Sequence, residues 1–386
     1  MTEHFNIIVI GSGPGGYVAA LKAGQMGAKA AVVEQHPFFG GTCLNWGCIP
    51  SKALLASAEL IHKIHHADQM GVEVAGPAKP NWQVIQQRKD KILKTLRGGI
   101  KNLFDARKVT AFQGKALLDG RGKVVVTSDG KPAVELTAER IIIASGSLPS
   151  WIPGWPEDSE KVCTSDEALH WTSLPKRLLI VGGGVIGCEF ACMMRAFGVE
   201  VTVVEMMPSF LPGMEKFLSD TLLKIFGKRG IRCFTNTKVE DLRIEGDFIK
   251  ATLTGGEGLE VDKVLVSTGR KPNTVGLGLE SVGLATDRGF LRVNEYMQTS
   301  DESIYAAGDC VEITNLLTGK KIHAPYGDLA NLQGRVAGEN AAIGNTATFA
   351  GTIQTGICKI FEYAAGTTGI SEKVARQEGF DVLSVV

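Results

Sequence analysis

One pattern occurs twice in this chain and restricts what it can fold into. Phe5 to Ile10 is a nearly continuous apolar run, as expected of a strand buried on both faces. It leads into Gly11-Ser12-Gly13-Pro14-Gly15-Gly16 and the helix-forming Tyr17-Val18-Ala19-Ala20-Leu21, and a second apolar run, Ala28 to Val33, ends at Glu34. Strand, glycine turn, helix, strand and acid in that order predict a dinucleotide-binding βαβ unit. Gly11 makes the turn, Gly13 lets the backbone meet a pyrophosphate, Gly16 allows close helix–strand packing, and Glu34 accepts hydrogen bonds from ribose hydroxyls. The pattern returns at Leu178 to Val181, Gly182-Gly183-Gly184-Val185-Ile186-Gly187, a helix through Phe197, a strand from Val199 to Val204, and Glu205. Gly11 and Glu34 are 23 positions apart, as are Gly182 and Glu205. The equal interval predicts an internal repeat with two dinucleotide sites. Strands that stop at a glycine turn follow each unit, at Arg140 to Pro149 with Ser145 and Gly146, and at Lys263 to Pro272 with Gly269. Between them, Trp151 to Pro156 is turn-rich and reads as a crossing linker. A last strand, Ser303 to Asp309, ends in an acid available to a ribitol or phosphate-linked hydroxyl.

The stretch from Gly40 to Lys52 carries the chemistry. Cys43 and Cys48 are five positions apart, close enough to bridge if their Cα atoms come within about 5–6 Å. Pro50 sits in the first turn of the helix that follows, where a missing N–H costs nothing. A thiol beside a helix N-terminus has its thiolate favoured by the dipole. The stretch reads as a redox-active disulfide held against a cofactor. A structural disulfide and a zinc half-site are the alternatives. The first would add little constraint over so short a loop, and the second lacks the usual ligand spacing and a second pair, so no metal is expected.

Bulk properties bound the rest. A chain of 386 residues should divide into two or three domains. Basic and acidic residues balance at 41 each, so no charge excess recruits nucleic acid or an acidic membrane. Eight cysteines are too few for a secreted scaffold of this length. The opening residues lack a basic leader and no apolar run reaches bilayer length, so a reducing, cytoplasmic setting is the default. The charges of Trp82 to Phe104 are expected on a solvated helix face, Val109 to Leu136 as β-structure with a hairpin at Asp129-Gly130, and Cys188 and Cys192 as small core residues. His62, His65 and His66 are expected on an exposed polar helix face.

With these motifs in place the sequence resembles the flavin- and nicotinamide-dependent disulfide oxidoreductases, and dihydrolipoamide dehydrogenases most of all. The matching stretches are Gly11 to Ala20, Gly40 to Lys52, Gly182 to Glu189 and Tyr305 to Asp309. The resemblance implies an α/β fold of two Rossmann-like dinucleotide-binding domains (glutathione reductase-like) followed by the start of an α+β interface domain. Residues 1–150 and 271–342 would form the two parts of an FAD-binding domain, 151–270 an NAD-binding domain, and 343–386 a shortened interface domain. FAD contacts would come from Gly11, Gly13, Pro14, Gly15, Gly16, Glu34, Gly41, Thr42, Lys52, Ala116, Ser145, Gly146 and Asp309. NAD contacts would come from Gly182, Gly184, Gly187, Glu205, Val239 and Gly269. Glu205, followed by Met206-Met207-Pro208 and no arginine, favours NAD over NADP.

By the same resemblance Cys48 is the thiol against the flavin and Cys43 the one that exchanges with substrate, while Lys52 pairs with Glu189 near the flavin. The implied reaction moves two electrons between NAD(H) and a dithiol or disulfide, with lipoamide, or the lipoyl domain of a 2-oxo acid dehydrogenase complex, as partner and a homodimer as the assembly. Two departures leave the substrate open. The family's C-terminal His-x-x-x-x-Glu pair has no counterpart after His323, so no acid–base partner of Cys43 is identified; His323 itself is read as a loop histidine. The stretches Tyr326 to Gly338 and Gly351 to Ile370 resemble coenzyme A disulfide reductases and NADH oxidases more closely. Reduction of coenzyme A disulfide or mercuric ion, or a nucleotide-binding flavoprotein subunit without lipoamide turnover, are the competing readings.

Overall fold

The computed structural model describes residues 3–158 and 160–385. Its α-helices are α1 (Pro14–Gln25), α2 (Gly41–Asn45), α3 (Cys48–His65), α4 (Trp82–Ala106), α5 (Ser165–Ala168), α6 (Val185–Ala196), α7 (Lys216–Lys228), α8 (Gly327–Ile343) and α9 (Glu372–Gln377). None of them is long and apolar enough to cross a membrane. The chain divides into two units, residues 1–49, 93–148 and 271–353 in the first, and 50–92, 149–270 and 354–386 in the second.

The first unit is built on strands β1 (Glu3–Ile10), β2 (Ala30–Glu34), β3 (Thr110–Gln113), β4 (Lys115–Leu118), β5 (Lys123–Thr127) and β6 (Val134–Ile143), in the order β3-β2-β1-β6-β5-β4. β3, β2, β1 and β6 are parallel, and the strand Ile304–Ala306 adds to β6, also in parallel. β2 is buried at every position and β1 along its last four, so neither alternates; this is the signature of a parallel sheet covered on both faces. Strand order reverses between β1 and β6, and ligands of such sheets bind at that switch point, beyond the carboxyl ends of the strands. The glycine turn after β1 lies there. β4, β5 and β6 are antiparallel neighbours, and Asp129-Gly130 lies in the connection between β5 and β6, where the hairpin was expected.

α1 and α8 pack together through small residues. A Cβ on Gly334 would lie 2.3 Å from the Gly15 carbonyl oxygen, and one on Gly338 2.4 Å from that of Ala19. Only hydrogen at these positions lets the two backbones approach so closely.

The second unit repeats the plan. Its five strands, Arg232–Phe234, Glu200–Val204, Arg177–Val181, Lys263–Val266 and Val162–Thr164, are parallel in that spatial order. The reversal falls between Arg177–Val181 and Lys263–Val266, where the second glycine turn starts. An antiparallel three-stranded sheet (Val239–Glu245, Phe248–Leu253, Gly258–Val261) and a hairpin (Thr355–Ile360, Tyr363–Thr368) complete the unit. Residues 50–92 group with this unit, whereas the sequence reading placed them in the first domain. The reason is packing: Leu54, Ala58, Ile61 and Trp82 share an apolar cluster with Phe190, Phe197 and Phe226. Cys358, Ile360 and Phe361 join the same cluster, which carries residues 354–386 into this unit.

Candidate active site: a thiol pair and two nucleotide cradles

The two glycine turns have the same geometry. Gly11 (φ +97°) and Gly182 (φ +113°) hold left-handed backbone, and a Cβ on either would lie 2.3 Å from a carbonyl oxygen, of Ala144 or Ser267. On Gly16 or Gly187 it would lie 2.0 Å from the carbonyl oxygen of Gly11 or Gly182. The helices then start with glycine N-caps, Gly13 for α1 and Gly184 for α6, and no side chain caps either end. Pro14 is the first residue of α1. Each twelve-residue helix thus presents bare amides and its positive dipole end to a phosphate. Nothing lies within 4 Å of where a Cβ on Gly184 would sit. Gly41 packs on the first turn, its Cβ position 2.5 Å from Gly13 Cα. The two cradles fit two pyrophosphates.

The acids are placed alike as well. Glu34 accepts from the Ser12 amide (3.0 Å) and hydroxyl (2.6 Å) at Oε2 and from the His36 amide at Oε1 (2.9 Å). Glu205 accepts from the Gly183 amide at Oε2 (2.6 Å) and the Met207 amide at Oε1 (2.7 Å). Both residues are buried, at 4% and 6% exposure. A carboxylate has about four lone-pair sites, so each keeps acceptor capacity for a ribose diol. Ser12 escaped the sequence reading, although it stands as far before Glu34 as Gly183 before Glu205.

The other expected contacts distribute as follows. In the first unit, Asp309 accepts from the Ser147 hydroxyl (2.6 Å). Asn273 donates from its side chain to the Ser145 carbonyl (3.2 Å) and from its amide to that of Gly146 (2.9 Å). Ser147 and Asn273 carried no signal in the sequence. Ala116 is buried on β4, and Thr42 is the second residue of α2. In the second unit Val239 opens its antiparallel strand, and Gly269 (φ +120°) follows the strand Lys263–Val266 with no atom within 4 Å of its Cβ position.

Cys43 lies in the middle of α2 and Cys48 is the first residue of α3. The two are thiols in hydrogen-bonding contact. That contact, followed by burial, pushes the Cys43 thiol far above the ordinary thiol range. Cys48 starts an eighteen-residue helix, at the end where the backbone dipole is positive. Gly327, which begins α8, would place a Cβ 3.6 Å from Cys43 Sγ. In the second unit both oxygens of Glu189 accept from Lys52 Nζ, at 2.9 and 2.7 Å. The Glu189 side chain is 8% exposed and that of Lys52 59%. Of the remaining cysteines, Cys163, Cys188, Cys192, Cys310 and Cys358 are buried and Cys233 is half-buried; burial pushes Cys163, Cys233 and Cys358 up to about 12.

Two expectations about charged faces need correction. Lys89, counted with a solvated face, is 1% exposed and donates to Gln86 Oε1 (2.6 Å) and the Leu169 carbonyl (3.0 Å). His62 and His66 are half-buried, with His62 paired to Glu362 (3.1 Å) and its ring tilted 41° against that of His66. His66 Nδ1 meets the His62 carbonyl (2.8 Å) and its Nε2 meets Arg229 Nη1 (2.7 Å), an arrangement the neutral ring protonated on Nδ1 satisfies. His65 alone of the three is exposed. His323 packs against the Phe290 ring, with 4.4 Å between centroids.

The family described as pyridine nucleotide-disulphide oxidoreductase matches residues 5–328. A dihydrolipoyl dehydrogenase of Chlamydia muridarum is 38% identical over 385 residues, covering 99% of this chain and 79% of that protein. The Bacillus subtilis protein of the same name is 39% identical over 328 residues, covering 81% and 68%. Among solved structures, LpdA from Mycobacterium tuberculosis superimposes with a TM-score of 0.84 at 27% identity, covering 97% of this chain and 80% of that one. The flavoprotein disulfide reductase RclA from Escherichia coli, solved as a Cu(II) complex, gives 0.82 at 25% identity, covering 98% and 80%. The chain belongs to the pyridine nucleotide-disulphide oxidoreductase family and is an enzyme that uses FAD and NAD(H).

Proposed function

We propose that this enzyme moves two electrons between NAD(H) and dihydrolipoamide or its disulfide through the Cys43–Cys48 pair. The observation that carries the reading is the thiol pair itself, two thiols in contact, one in the middle of α2 and one at the start of α3. Bound FAD supplies a two-electron carrier between this pair and the nicotinamide. The first unit's glycine turn, with Glu34, Gly41, Thr42, Ala116, Ser145, Gly146 and Asp309, would hold the FAD. The second unit's turn, with Glu205, Val239 and Gly269, would hold NAD. Lys52, held by Glu189 within the second unit, would supply a fixed positive charge for the reduced cofactor.

In the reducing direction, Cys43 first loses its proton to solvent. Its thiolate attacks one sulfur of the substrate disulfide. The substrate S–S bond breaks and one substrate thiolate leaves and takes up a proton. Cys48, its proton lost to solvent, then attacks Cys43 Sγ of the mixed disulfide as a thiolate and releases the second substrate thiolate, which takes up a proton, so the protein holds a disulfide and the substrate has gained two electrons and two protons. Oxidation of dihydrolipoamide is the reverse.

A lipoyl domain as the substrate's carrier, a second copy of the chain as partner, and a cytoplasmic setting belong to the same proposal. The buried thiols of Cys163, Cys188, Cys192, Cys310 and Cys358 suit a reducing compartment. One observation favours a second reading, coenzyme A disulfide. The α8 segment that resembles those reductases is the one that comes to Cys43, at Gly327. Steady-state turnover separates the two. With lipoamide, Cys43→Ser and Cys48→Ser should each retain FAD and lose at least about 10³-fold in kcat. Full activity in Cys43→Ser refutes the assignment, and turnover of coenzyme A disulfide but not lipoamide selects the second reading.

A further inference from the structure

Side chains within the first unit tie the redox stretch to a distant part of the sequence. α2, which carries Cys43, has five residues and cannot hold its own shape. Its last residue, Asn45, is fully buried. Asn45 Nδ2 donates to the Phe39 carbonyl (3.1 Å) and the Gly41 carbonyl (3.0 Å), and Oδ1 accepts from Arg97 Nε at 2.6 Å. Arg97 belongs to α4, and its guanidinium lies over the Phe38 ring, 3.8 Å from the centroid. An arginine only donates, so the Asn45 amide has one orientation available, oxygen toward Arg97 and nitrogen toward the two carbonyls. Those carbonyls bracket the turn that starts α2.

We infer that Arg97 is a positioning residue for the Cys43–Cys48 couple. Through Asn45 it holds α2 in the geometry that keeps the two sulfurs in contact, and so it sets how readily the pair closes. The inference rests on the assignment of these cysteines as the redox pair. Closure is intramolecular, so its equilibrium follows the effective concentration of one sulfur at the other. Without Arg97 the buried Oδ1 loses a charged donor, and the constraint that directs Nδ2 to the carbonyls of Phe39 and Gly41 weakens. The sulfurs then sample more space, and the disulfide is disfavoured against the dithiol.

The test uses the FAD-bound protein equilibrated in glutathione buffers. Two thiols give up two electrons and two protons as the disulfide forms, and glutathione disulfide becomes two glutathiones. Alkylation and peptide mass spectrometry then count free thiols at positions 43 and 48, with FAD content and Tm recorded alongside. Arg97→Met should lower the closure equilibrium about tenfold, which is about 30 mV toward a more oxidising couple. Should that variant fail to fold, Arg97→Lys decides. It keeps the cation but donates from a rotating ammonium, and a two- to fivefold shift in the same direction is expected. A closure equilibrium within a factor of two of the parent in Arg97→Met, or an unshifted one in Arg97→Lys, overturns the inference whatever happens to Tm. A parent protein in which positions 43 and 48 never close removes the assignment beneath it.

Discussion

Replacing Glu205 by Gln tests the second cradle with a change of one atom. The carboxylate is 6% exposed and takes one amide on each oxygen, Gly183 at 2.6 Å and Met207 at 2.7 Å. A glutamine accepts on one side only and turns an NH2 toward the other amide, donor against donor. A hydrogen bond to a charged group is worth about 1.5–3 kcal/mol, and the same range applies to a ribose hydroxyl that loses its charged acceptor. At 1.4 kcal/mol per tenfold, the KM for NADH should rise about 10–100-fold. Preference for NADH over NADPH should shrink as well, because the charge that repels a 2′-phosphate is gone. The assay is steady-state turnover against each nucleotide, with FAD content measured on the same samples. Glu34→Gln is the matched control: it should lower FAD retention and leave the NADH KM of the loaded enzyme within about threefold. The reasoning is refuted if Glu205→Gln keeps its NADH KM within threefold, or if the two variants exchange phenotypes.

Two further outcomes follow from packing and burial. Gly338→Val drives a side chain into the Ala19 carbonyl, 2.4 Å from the Cβ position. Backbone cannot step aside, so thermal unfolding should show a loss of at least ~1–3 kcal/mol; Gly98→Ala, where nothing lies within 4 Å, should show none. Asp166 has Arg270 at 3.9 Å, yet burial raises its carboxyl to about 6 from the ordinary 3.8. A raised carboxyl gives stability that is present below the unfolded pKa and lost as pH rises through the folded one. Asp166→Asn should therefore gain about 3 kcal/mol on the parent between pH 4 and 7, read from urea midpoints; a pH-independent difference would refute this.

What the sequence disclosed was what depends on neighbours along the chain. A glycine turn, the helix it opens and the acid that closes the second strand form one local unit, so Gly11, Gly16 and Glu34 could be assigned roles, and their counterparts Gly182, Gly187 and Glu205 likewise. The Lys52–Glu189 pairing came from resemblance, because 137 residues separate the two. The partners of Asp309 and Asn45 were invisible for the same reason. Ser147 is 162 residues from Asp309, and Arg97 52 from Asn45, and no periodicity links such positions. Lys89 was misplaced because helical periodicity marks a charged residue as outward-facing, whereas backbone and side-chain acceptors at Leu169 and Gln86 satisfy it indoors. The grouping of residues 50–92 depended on which core Leu54 and Trp82 would enter, a choice made by packing alone.

The most direct measurement is an anaerobic titration of the FAD-bound protein with NADH, followed by alkylation and peptide mapping. If electrons pass through the sulfur pair, one equivalent of NADH should expose two new thiols, at Cys43 and Cys48, in a sample that began with that pair oxidised. An NADH-reduced protein whose labelling at positions 43 and 48 does not change would contradict the account.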